Sequence, residues 1–317
     1  MKVAIVGAGP GGAFLYHLLS KSLSLEVQLF DHHKRKTACE TRPCGWAVPL
    51  FEFLDLCEHA NLLAPKYIKV IHHQVILNDV KMRAEIAIID KPLLLNDLTQ
   101  GQALHSSPLL GSYDRIIDAT GISRAYLPPA AQLYKAKAGQ VKIKTIYTDL
   151  IVKTLKGGGC EWIFPMGNGE THIGSCAPIG SSPQPNEASR SFDLNTAMCR
   201  CSGELWYGGP ISPFIQGKVW GLGESIGLVS PLIGAGIIPA MDSAKLMVEN
   251  WDSAIKYENA ILAKYSYMMR EANLAKAMLN GRSIKLWNWP LLKKTFTASG
   301  VYPSWWQMAK LPRQNNN

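Results

Sequence analysis

The segment GAGPGG, which begins at Gly7, is the first part of the chain whose residue types and spacing could bind a ligand. It follows an apolar, β-branched run at 2–6, which predicts a buried parallel strand, and precedes 13–19, which predicts a helix. In such a unit the first glycine permits a tight turn, Gly9 lets a pyrophosphate approach the backbone, and Gly12 lets the helix pack on the strand. The helix N-terminus favours bound phosphate. The pattern therefore predicts a dinucleotide site rather than an ordinary glycine-rich turn.

A second strand is predicted at 26–30 and ends at Asp31. A carboxylate at this position can accept hydrogen bonds from an adenosine ribose. This first part of the chain is compatible with either NAD or FAD.

Two later strand ends favour FAD. The strand predicted at 115–118 is followed by Ala-Thr and Gly121, and a short strand within 218–227 ends near Glu224. An acid at such a strand end could hold the ribityl chain of a flavin. We do not expect a plain NAD dehydrogenase, because it would not need this later segment.

The segment PLIGAG begins at Pro231 and precedes a predicted helix from Ile237 to 251. Gly234 and Gly236 would let the backbone pass close to a flat ring. The helix N-terminus would then face the pyrimidine end of a flavin, where negative charge develops on reduction.

In this order the motifs resemble the geranylgeranyl reductase family, FAD enzymes of the p-hydroxybenzoate-hydroxylase-like fold that saturate isoprenoid double bonds. The resemblance runs from residue 1 to about 250, and the combination of motifs is its specific feature. The motifs are GAGPGG, Asp31, RPCG at 42–45, IDK at 89–91, DATG at 118–121, CEWIFP at 160–165, GESIG at 223–227 and PLIGAG.

The resemblance implies a site for FAD and for a prenyl chain. Cys44, Trp162 and Phe164 are the predicted catalytic residues: Trp162 and Phe164 would orient the chain and Cys44 would lie near the reacting carbons. The predicted cofactor contacts are Gly7, Gly9, Gly11, Gly12, Asp31, Cys44, Gly45, Ala47, Lys91, Gly121, Glu224, Pro231, Gly234, Gly236 and Ile237. Lys91 stands where the family usually has an arginine, and a lysine meets a phosphate as a point charge.

Three features depart from the family pattern. Cys160 replaces a tyrosine, and the sequence ESIG from Glu224 replaces the usual Asp-Ala-Ala-Gly. The link at 101–113 is too short for the three-stranded meander that the family usually has there. How an external electron donor, NAD(P)H or a ferredoxin-like protein, would dock is therefore open.

The predicted fold is α/β, or α+β overall, with three parts. A Rossmann-like FAD-binding domain comprises 1–48, 85–125 and 210–250, and it is interleaved with an antiparallel-sheet substrate domain comprising 49–84 and 126–209. A helical cap at 251–317 completes the chain. Strands are predicted at 67–77, 140–153 and 161–174, a helical region at 257–278, and a loop at 178–189.

Composition limits the class of protein. The chain has 317 residues, of which 47% are hydrophobic and 18% charged, so it is a folded globular protein and not a disordered one. No stretch of apolar residues is long enough to span a membrane, and the start of the chain does not resemble a signal peptide. We expect a cytoplasmic protein.

The formal net charge of +9 indicates an anionic partner, either a phosphorylated cofactor or substrate or an anionic membrane surface. No long basic arm is present, so we do not expect nucleic acid. We expect the seven cysteines to be reduced. Cys199 and Cys201 lack a second ligand pair, so no metal site is predicted.

The C-terminal part places four tryptophans among lysines. This composition fits peripheral contact with anionic lipid and equally fits a helical cap packed on the FAD-binding domain. The tryptophans are Trp287, Trp289, Trp305 and Trp306, and the lysines are Lys285, Lys293, Lys294 and Lys310.

The predicted function is FAD-dependent reduction of C=C bonds in a geranylgeranyl or other prenyl chain on a lipid or diphosphate. Hydride would pass to one alkene carbon and a proton to the other. Two alternatives stay open: a flavin monooxygenase of the same fold, and a flavin-binding protein without turnover.

Overall fold

The computed structural model describes residues 1–31, 44–130, 134–155, 159–180, 197–280, 282 and 285–311. A mostly parallel sheet is built from β1 (Lys2–Val6), β2 (Glu26–Phe30), β6 (Arg115–Asp118), β12 (Ile215–Gln216) and β13 (Val219–Gly221). Its strand order is β12-β13-β6-β1-β2, and β1, β2, β6 and β13 are parallel. The central strand β1 is buried along nearly its whole length, as its continuous apolar run predicts.

Three helices pack together beside this sheet: α1 (Pro10–Leu19), α3 (Lys91–Thr99) and α4 (Ile237–Glu249). α1 connects β1 to β2 and contacts both α3 and α4. A Cβ atom added at Gly11 would lie 3.0 Å from the carbonyl oxygen of Ala240, so glycine permits the close approach of α1 and α4.

A second, nine-stranded sheet is mostly antiparallel. Its strands are β3 (Ala47–Pro49), β4 (Ile68–Leu77), β5 (Val80–Ile89), β7 (Lys135–Lys144), β8 (Ile151–Thr154), β9 (Cys160–Pro165), β10 (Glu170–Pro178), β11 (Cys199–Trp206) and β14 (Val301–Tyr302). The order is β11-β7-β10-β9-β8-β4-β5-β14, with β3 also paired to β5. β4 and β8 are parallel.

The two faces of this sheet differ in chemistry, because successive side chains of a strand point to opposite faces. One face carries a buried cluster of Ile143, Ile151, Ile163 and Ile173. Trp162, Phe164 and His172 alternate with these isoleucines and therefore share the other face.

The other α-helices of the described residues are α2 (Leu50–His59), α5 (Ala254–Tyr265), α6 (Tyr267–Leu279), α7 (Trp289–Ala298) and α8 (Trp305–Lys310). The C-terminal region is not purely helical, because β14 pairs with β5 and so joins the large sheet. One continuous apolar core draws residues from both sheets and from the helices, including Phe14, Phe53, Phe214 and Tyr257. No helix in the described part of the chain is long and apolar enough to cross a membrane.

The α/β fold predicted from the sequence is confirmed, and so are the bounds of β1, β2 and β6. α1 begins at Pro10 rather than 13, because proline suits the first helical turn. The segment between 99 and 115 holds a short 3-10 helix, Leu110–Ser112, and an isolated bridge of Leu104 to Phe30, but no meander.

Other predicted bounds were wrong. The segments 140–153 and 161–174 are each two strands rather than one, and the helical region at 257–278 breaks at Ser266 into α5 and α6. The predicted boundary between 84 and 85 falls inside β5. Most of the predicted loop at 178–189 lies outside the described residues.

The expectation that all cysteines are reduced was also wrong, because Cys199 is disulfide-bonded. Cys44, Cys57, Cys160, Cys176 and Cys201 carry free thiols.

Candidate functional site

The carboxyl ends of four parallel strands meet at one edge of the smaller sheet. Gly7 follows β1, Asp31 follows β2, Gly121 lies just beyond β6 and Glu224 lies just beyond β13. Ligands of open α/β sheets bind at this edge. The parallel pairing thus brings together four of the residues that the sequence predicts as cofactor contacts.

Gly7 makes the strand-to-helix turn that the sequence predicts. Its φ is +108°, and a Cβ atom there would lie 2.2 Å from the carbonyl oxygen of Ala119. At Gly12 a Cβ atom would lie 1.9 Å from the carbonyl oxygen of Gly7. Both positions therefore require glycine for the turn itself, with or without a ligand.

Gly9 differs from its neighbours because it faces open space. It is the N-cap of α1, no side chain caps this helix end, and a Cβ atom at Gly9 would meet nothing within 4 Å. The helix N-terminus thus lacks a side-chain cap and has free room beside Gly9, and such a helix end favours a bound pyrophosphate. The residues present fit a dinucleotide such as FAD at this end of the site.

Asp31 is held through its backbone at the end of β2. Its amide donates to the Leu104 carbonyl oxygen at 2.8 Å, and His105 Nδ1 donates to the Asp31 carbonyl oxygen at 2.8 Å. The ribose-binding role of Asp31 stays a prediction.

Two acids near the neighbouring strand ends have different surroundings. Asp118 at the end of β6 is fully buried, and its carboxylate accepts hydrogen bonds from Thr120, Tyr126 and Leu127. Asp118 therefore folds the loop that contains Gly121. Glu224 is partly exposed, and its Oε1 accepts from the Trp206 amide at 3.0 Å, which joins this turn to the end of β11.

The PLIGAG segment forms a closed turn before α4. The Ser230 amide donates to the Ala235 carbonyl oxygen at 3.0 Å, and the Gly234 amide donates to the Ser230 carbonyl oxygen at 2.9 Å. Pro231 is partly buried, and Gly236 is the N-cap of α4 without a side-chain cap. The turn thus leaves the N-terminus of α4 without a side-chain cap, and Gly234 is exposed.

A cavity lies between this turn and β3, and it connects two groups of predicted cofactor contacts. Ala47 lines it from β3, and Gly236 and Ile237 line it from the turn and α4. Ser230 and Thr295 also line it.

The loop before β3 packs directly on the large sheet. A Cβ atom at Gly45 would lie 2.2 Å from the Phe164 ring, so the two residues are in close contact and only glycine fits. Trp46, at a φ of +61°, stands edge-on to the His172 ring with centroids 4.6 Å apart. The structure therefore brings the Cys44–Gly45 loop to the face that carries the predicted aromatic residues.

Trp162 is fixed in orientation on this face. Its Nε1 donates to Gln140 Oε1 at 3.1 Å, and a Cβ atom at Gly174 would lie 2.2 Å from the indole ring. The Trp162 and Phe164 ring centroids are 6.4 Å apart. Both side chains are partly buried and form one aromatic wall beside the Gly45 loop.

His172 is a residue of this face that our interpretation of the sequence missed. It lies opposite Phe164 in the β9–β10 register and is 1% exposed. Burial lowers the His172 pKa to about 4, and a hydrogen bond with the Gly45 backbone opposes that effect. Nδ1 has no hydrogen-bond partner among the described residues, so His172 is a neutral imidazole that packs under the loop.

Cys44 lies near two other polar groups of the site. The Cys201 pKa is raised mainly by burial and further by Cys44, whereas Lys91 lowers it. Lys91 is only 8% exposed, at the start of α3. The structure thus groups Cys44 with Lys91 and with Cys201, for which the sequence predicts no metal site.

Cys160, at the position where the resembling family has tyrosine, faces Cys176 across the β9–β10 pair. Burial raises the Cys160 pKa to about 12 and the Cys176 pKa to about 11. Neither thiol is a nucleophile at neutral pH, because the thiolate is the reactive form.

Comparison with known proteins gives the same architecture. No family model matches the chain. An uncharacterized protein of Methanocaldococcus jannaschii is 23% identical over 345 aligned positions, which cover 86% of this chain and 90% of that protein. A geranylgeranyl bacteriochlorophyll reductase-like protein from Thermoplasma acidophilum superposes with a TM-score of 0.72 at 16% identity, covering 99% of this chain and 96% of that one.

Two further solved structures are flavoproteins. HpxO of Klebsiella pneumoniae, complexed with FAD and uric acid, has a TM-score of 0.60 at 14% identity and covers 94% of this chain and 92% of that one. PqsL of Pseudomonas aeruginosa, a probable FAD-dependent monooxygenase, has a TM-score of 0.55 at 16% identity, with coverage of 88% and 94%. The chain has the fold of these FAD-dependent flavoproteins.

Proposed function

We propose that the chain is an FAD-dependent oxidoreductase that reduces C=C bonds of a geranylgeranyl or other prenyl chain carried by a lipid or diphosphate. The contact of Gly45 with Phe164 carries the proposal, because it joins the loop expected at the flavin to the aromatic wall expected to hold an apolar chain. The fold shared with the reductase-like protein of Thermoplasma acidophilum supports it.

The residues that would hold FAD fall into two groups. Gly7, Gly9, Gly11, Gly12 and Asp31 would bind the adenosine and pyrophosphate part through backbone amides and a carboxylate. Lys91 would meet a phosphate as a point charge. The second group would bind the ribityl chain and the ring, and its members are Cys44, Gly45, Ala47, Gly121, Glu224, Pro231, Gly234, Gly236 and Ile237. FAD, when bound, supplies two-electron transfer to the substrate.

The chain's own residues would supply alignment and a dry surface. An unactivated alkene has no carbonyl group to polarise, so close approach and exclusion of water must lower its barrier. Trp162 is held by Gln140 and by Gly174, and it would orient the prenyl chain together with Phe164. Cys44 would lie beside the reacting carbons. We further propose that the electron donor, NAD(P)H or a ferredoxin-like protein, docks without a meander.

The test combines a spectrum with a single-turnover assay. We expect the purified protein to show flavin absorption, and reduced protein to be reoxidised under anaerobic conditions by geranylgeranyl lipids, giving saturated product. Cys44→Ser should retain FAD, because the volume change is small. It should change the reoxidation rate, because Cys44 would lie beside the reacting carbons. Protein that neither contains nor takes up FAD would refute the proposal, and FAD binding without reoxidation would leave a flavin-binding protein without turnover.

A second candidate is a flavin monooxygenase, favoured by the fold shared with the probable monooxygenase of Pseudomonas aeruginosa. The monooxygenase reaction consumes molecular oxygen, whereas the reduction of a C=C bond does not. Uptake of oxygen with NADPH oxidation and a hydroxylated product would select the monooxygenase, and saturated product without oxygen would select the reductase.

We also propose that the protein meets its substrate at an anionic membrane surface. Trp287, Trp305 and Trp306 are 72%, 59% and 77% exposed, whereas Trp289 is buried against Trp305. The segment is thus anchored by one indole and presents three others. Lys293 and Lys310 are exposed in the same segment.

A further inference from the structure

Glu271, on α6, is a buried carboxyl group directly behind the PLIGAG turn. It is 0% exposed, and its Oε2 is 2.7 Å from Ser230 Oγ. Its Oε1 makes a short hydrogen bond with Thr295 Oγ1 on α7. Two hydroxyl groups therefore surround a carboxyl group that has lost its contact with water.

The hydrogen bonds of Thr295 indicate whether Glu271 is protonated. Thr295 Oγ1 also lies 3.0 Å from the Leu291 carbonyl oxygen, which can only accept. A threonine hydroxyl has one proton. Both contacts of Thr295 are full two-centre hydrogen bonds if Glu271 carries a proton and donates it to Oγ1; an ionised Glu271 would have to share the single Thr295 proton with Leu291.

The surroundings favour this neutral form. Burial raises the Glu271 pKa more strongly than its hydroxyl partners and Lys294 lower it. Tyr267 and Lys294 are the titratable groups that face it, from α6 and α7. The Lys294 Nζ lies 4.4 Å from the centre of the Tyr267 ring.

Ser230 links Glu271 to the turn. Its amide and carbonyl groups close the turn through Ala235 and Gly234, while its hydroxyl group is held by Glu271. Ser230 and Thr295 also line the cavity shared with Gly236. A negative charge at Glu271 would draw the Thr295 hydroxyl proton away from the Leu291 carbonyl oxygen and place a buried charge directly behind the turn.

We propose that Glu271 is a positioning residue that, as a neutral carboxylic acid, holds Ser230 and with it the turn that faces the flavin. FAD affinity then falls when Glu271 ionises. This inference rests on the proposed function only for the ligand; the protonation of Glu271 is a property of the protein alone.

The test measures the FAD dissociation constant of the wild type, Glu271→Gln and Glu249→Gln in buffers between pH 5 and pH 9. Glutamine keeps a neutral acceptor for Ser230 and a donor for Thr295, so affinity in Glu271→Gln should not depend on pH. In the wild type and in the exposed control Glu249→Gln, affinity should fall about tenfold as Glu271 ionises, equivalent to about 1.4 kcal/mol. The same pH dependence in all three proteins would overturn the proposal.

Two further measurements keep the proposal testable if Glu271→Gln fails to fold or if FAD does not bind. The infrared carbonyl band of a protonated carboxylic acid should be present at neutral pH without FAD in Ser230→Ala and also in Glu52→Gln, which removes the other carboxyl group whose pKa burial raises. Its absence from Glu52→Gln would overturn the proposal. Ser230→Ala should also weaken FAD at every pH by about tenfold. If the band is present but no variant binds FAD, the proposed function fails while the neutral Glu271 stands.

Discussion

Gly9 is the residue at which a dinucleotide site and a mere glycine-rich turn make different predictions. A methyl group at Gly9 has free space, and its φ of −70° suits alanine, so Gly9→Ala should lower the stability of the FAD-free protein by no more than about 1 kcal/mol, the cost of alanine at an N-cap. The methyl group would occupy the space of the pyrophosphate, so FAD affinity should fall at least about tenfold, or about 1.4 kcal/mol. Titration with FAD and thermal unfolding measure the two quantities.

Gly111→Ala is the matched control, because a Cβ atom there also meets nothing within 4 Å and Gly111 lies away from the turn, in the link between α3 and β6. Equal FAD affinity in both variants would mean that the turn is structural only.

His172 should make the stability of the protein depend on pH. Its folded-state pKa is about 4, below the ordinary value of 6.5, so the unfolded chain takes up a proton first as pH falls. His172 therefore contributes stability at neutral pH that is lost between about pH 6.5 and pH 4. Denaturant unfolding of the wild type and His172→Gln should show a difference in slope over this window, amounting to roughly 3 kcal/mol at most.

His17 and His72 also have lowered pKa values because they are buried, so the wild type alone does not isolate His172. Only the difference between the two proteins does. Parallel curves would show that His172 is already solvated or protonated in the folded state.

At the scale of elements, the attachment of the C-terminal strand β14 to β5 should depend on Gly300. Its φ is +78°, and a Cβ atom there would lie 2.5 Å from the carbonyl oxygen of Glu85. Gly169 has a similar φ of +75° but nothing within 4 Å. Gly169→Ala should thus cost only the backbone strain, about 1–2 kcal/mol, while Gly300→Ala should cost about 3 kcal/mol or more because β14 must also move.

Urea unfolding of the two variants separates these effects. If both lose the same free energy of unfolding, the close approach of Gly300 to β5 contributes nothing and β14 is loosely attached.

The elements that were predictable from the sequence are those fixed by local signals. β1, α1 and β2 follow from an apolar run, a glycine turn and an acid within one short segment. The break between β7 and β8 was not predictable, because Thr145 and Tyr147 continue the alternation of β7. β8 instead pairs with β4 and β9. The alternation of residues within one segment does not predict which distant strands it pairs with.

The site was predictable to a similar extent. Gly7 and Gly12 behave as the motif requires, but the contact of Gly45 with Phe164 joins residues far apart in the chain. His172 could have been found from the glycines at 167 and 169, since a turn there places His172 opposite Phe164. Glu271 gave no signal, because a single acid in a helical pattern is normally exposed.

For the whole molecule, the net charge of +9 and the exposed C-terminal indoles predict binding to anionic vesicles. Lysines near the surface of such a membrane contribute about 1 kcal/mol each, and indoles settle at the interface between headgroups and acyl chains. The protein should sediment with anionic vesicles at low salt and much less at high salt, because salt screens exposed charges. Neutral vesicles should bind it weakly under both conditions.

Trp306→Ala and Leu23→Ala distinguish binding through the C-terminal segment from nonspecific hydrophobic adsorption to vesicles. Trp306 is 77% exposed beside the C-terminal lysines, whereas Leu23 is fully exposed in the loop between α1 and β2, far from them in sequence. Removing one interfacial indole should weaken vesicle binding severalfold, and Leu23→Ala should leave it unchanged, because the indole adds burial that charge alone does not supply. Equal loss in both variants would indicate unspecific adsorption. If the wild type ignores anionic vesicles even at low salt, the C-terminal segment is a packed cap and a prenyl substrate must arrive by another route.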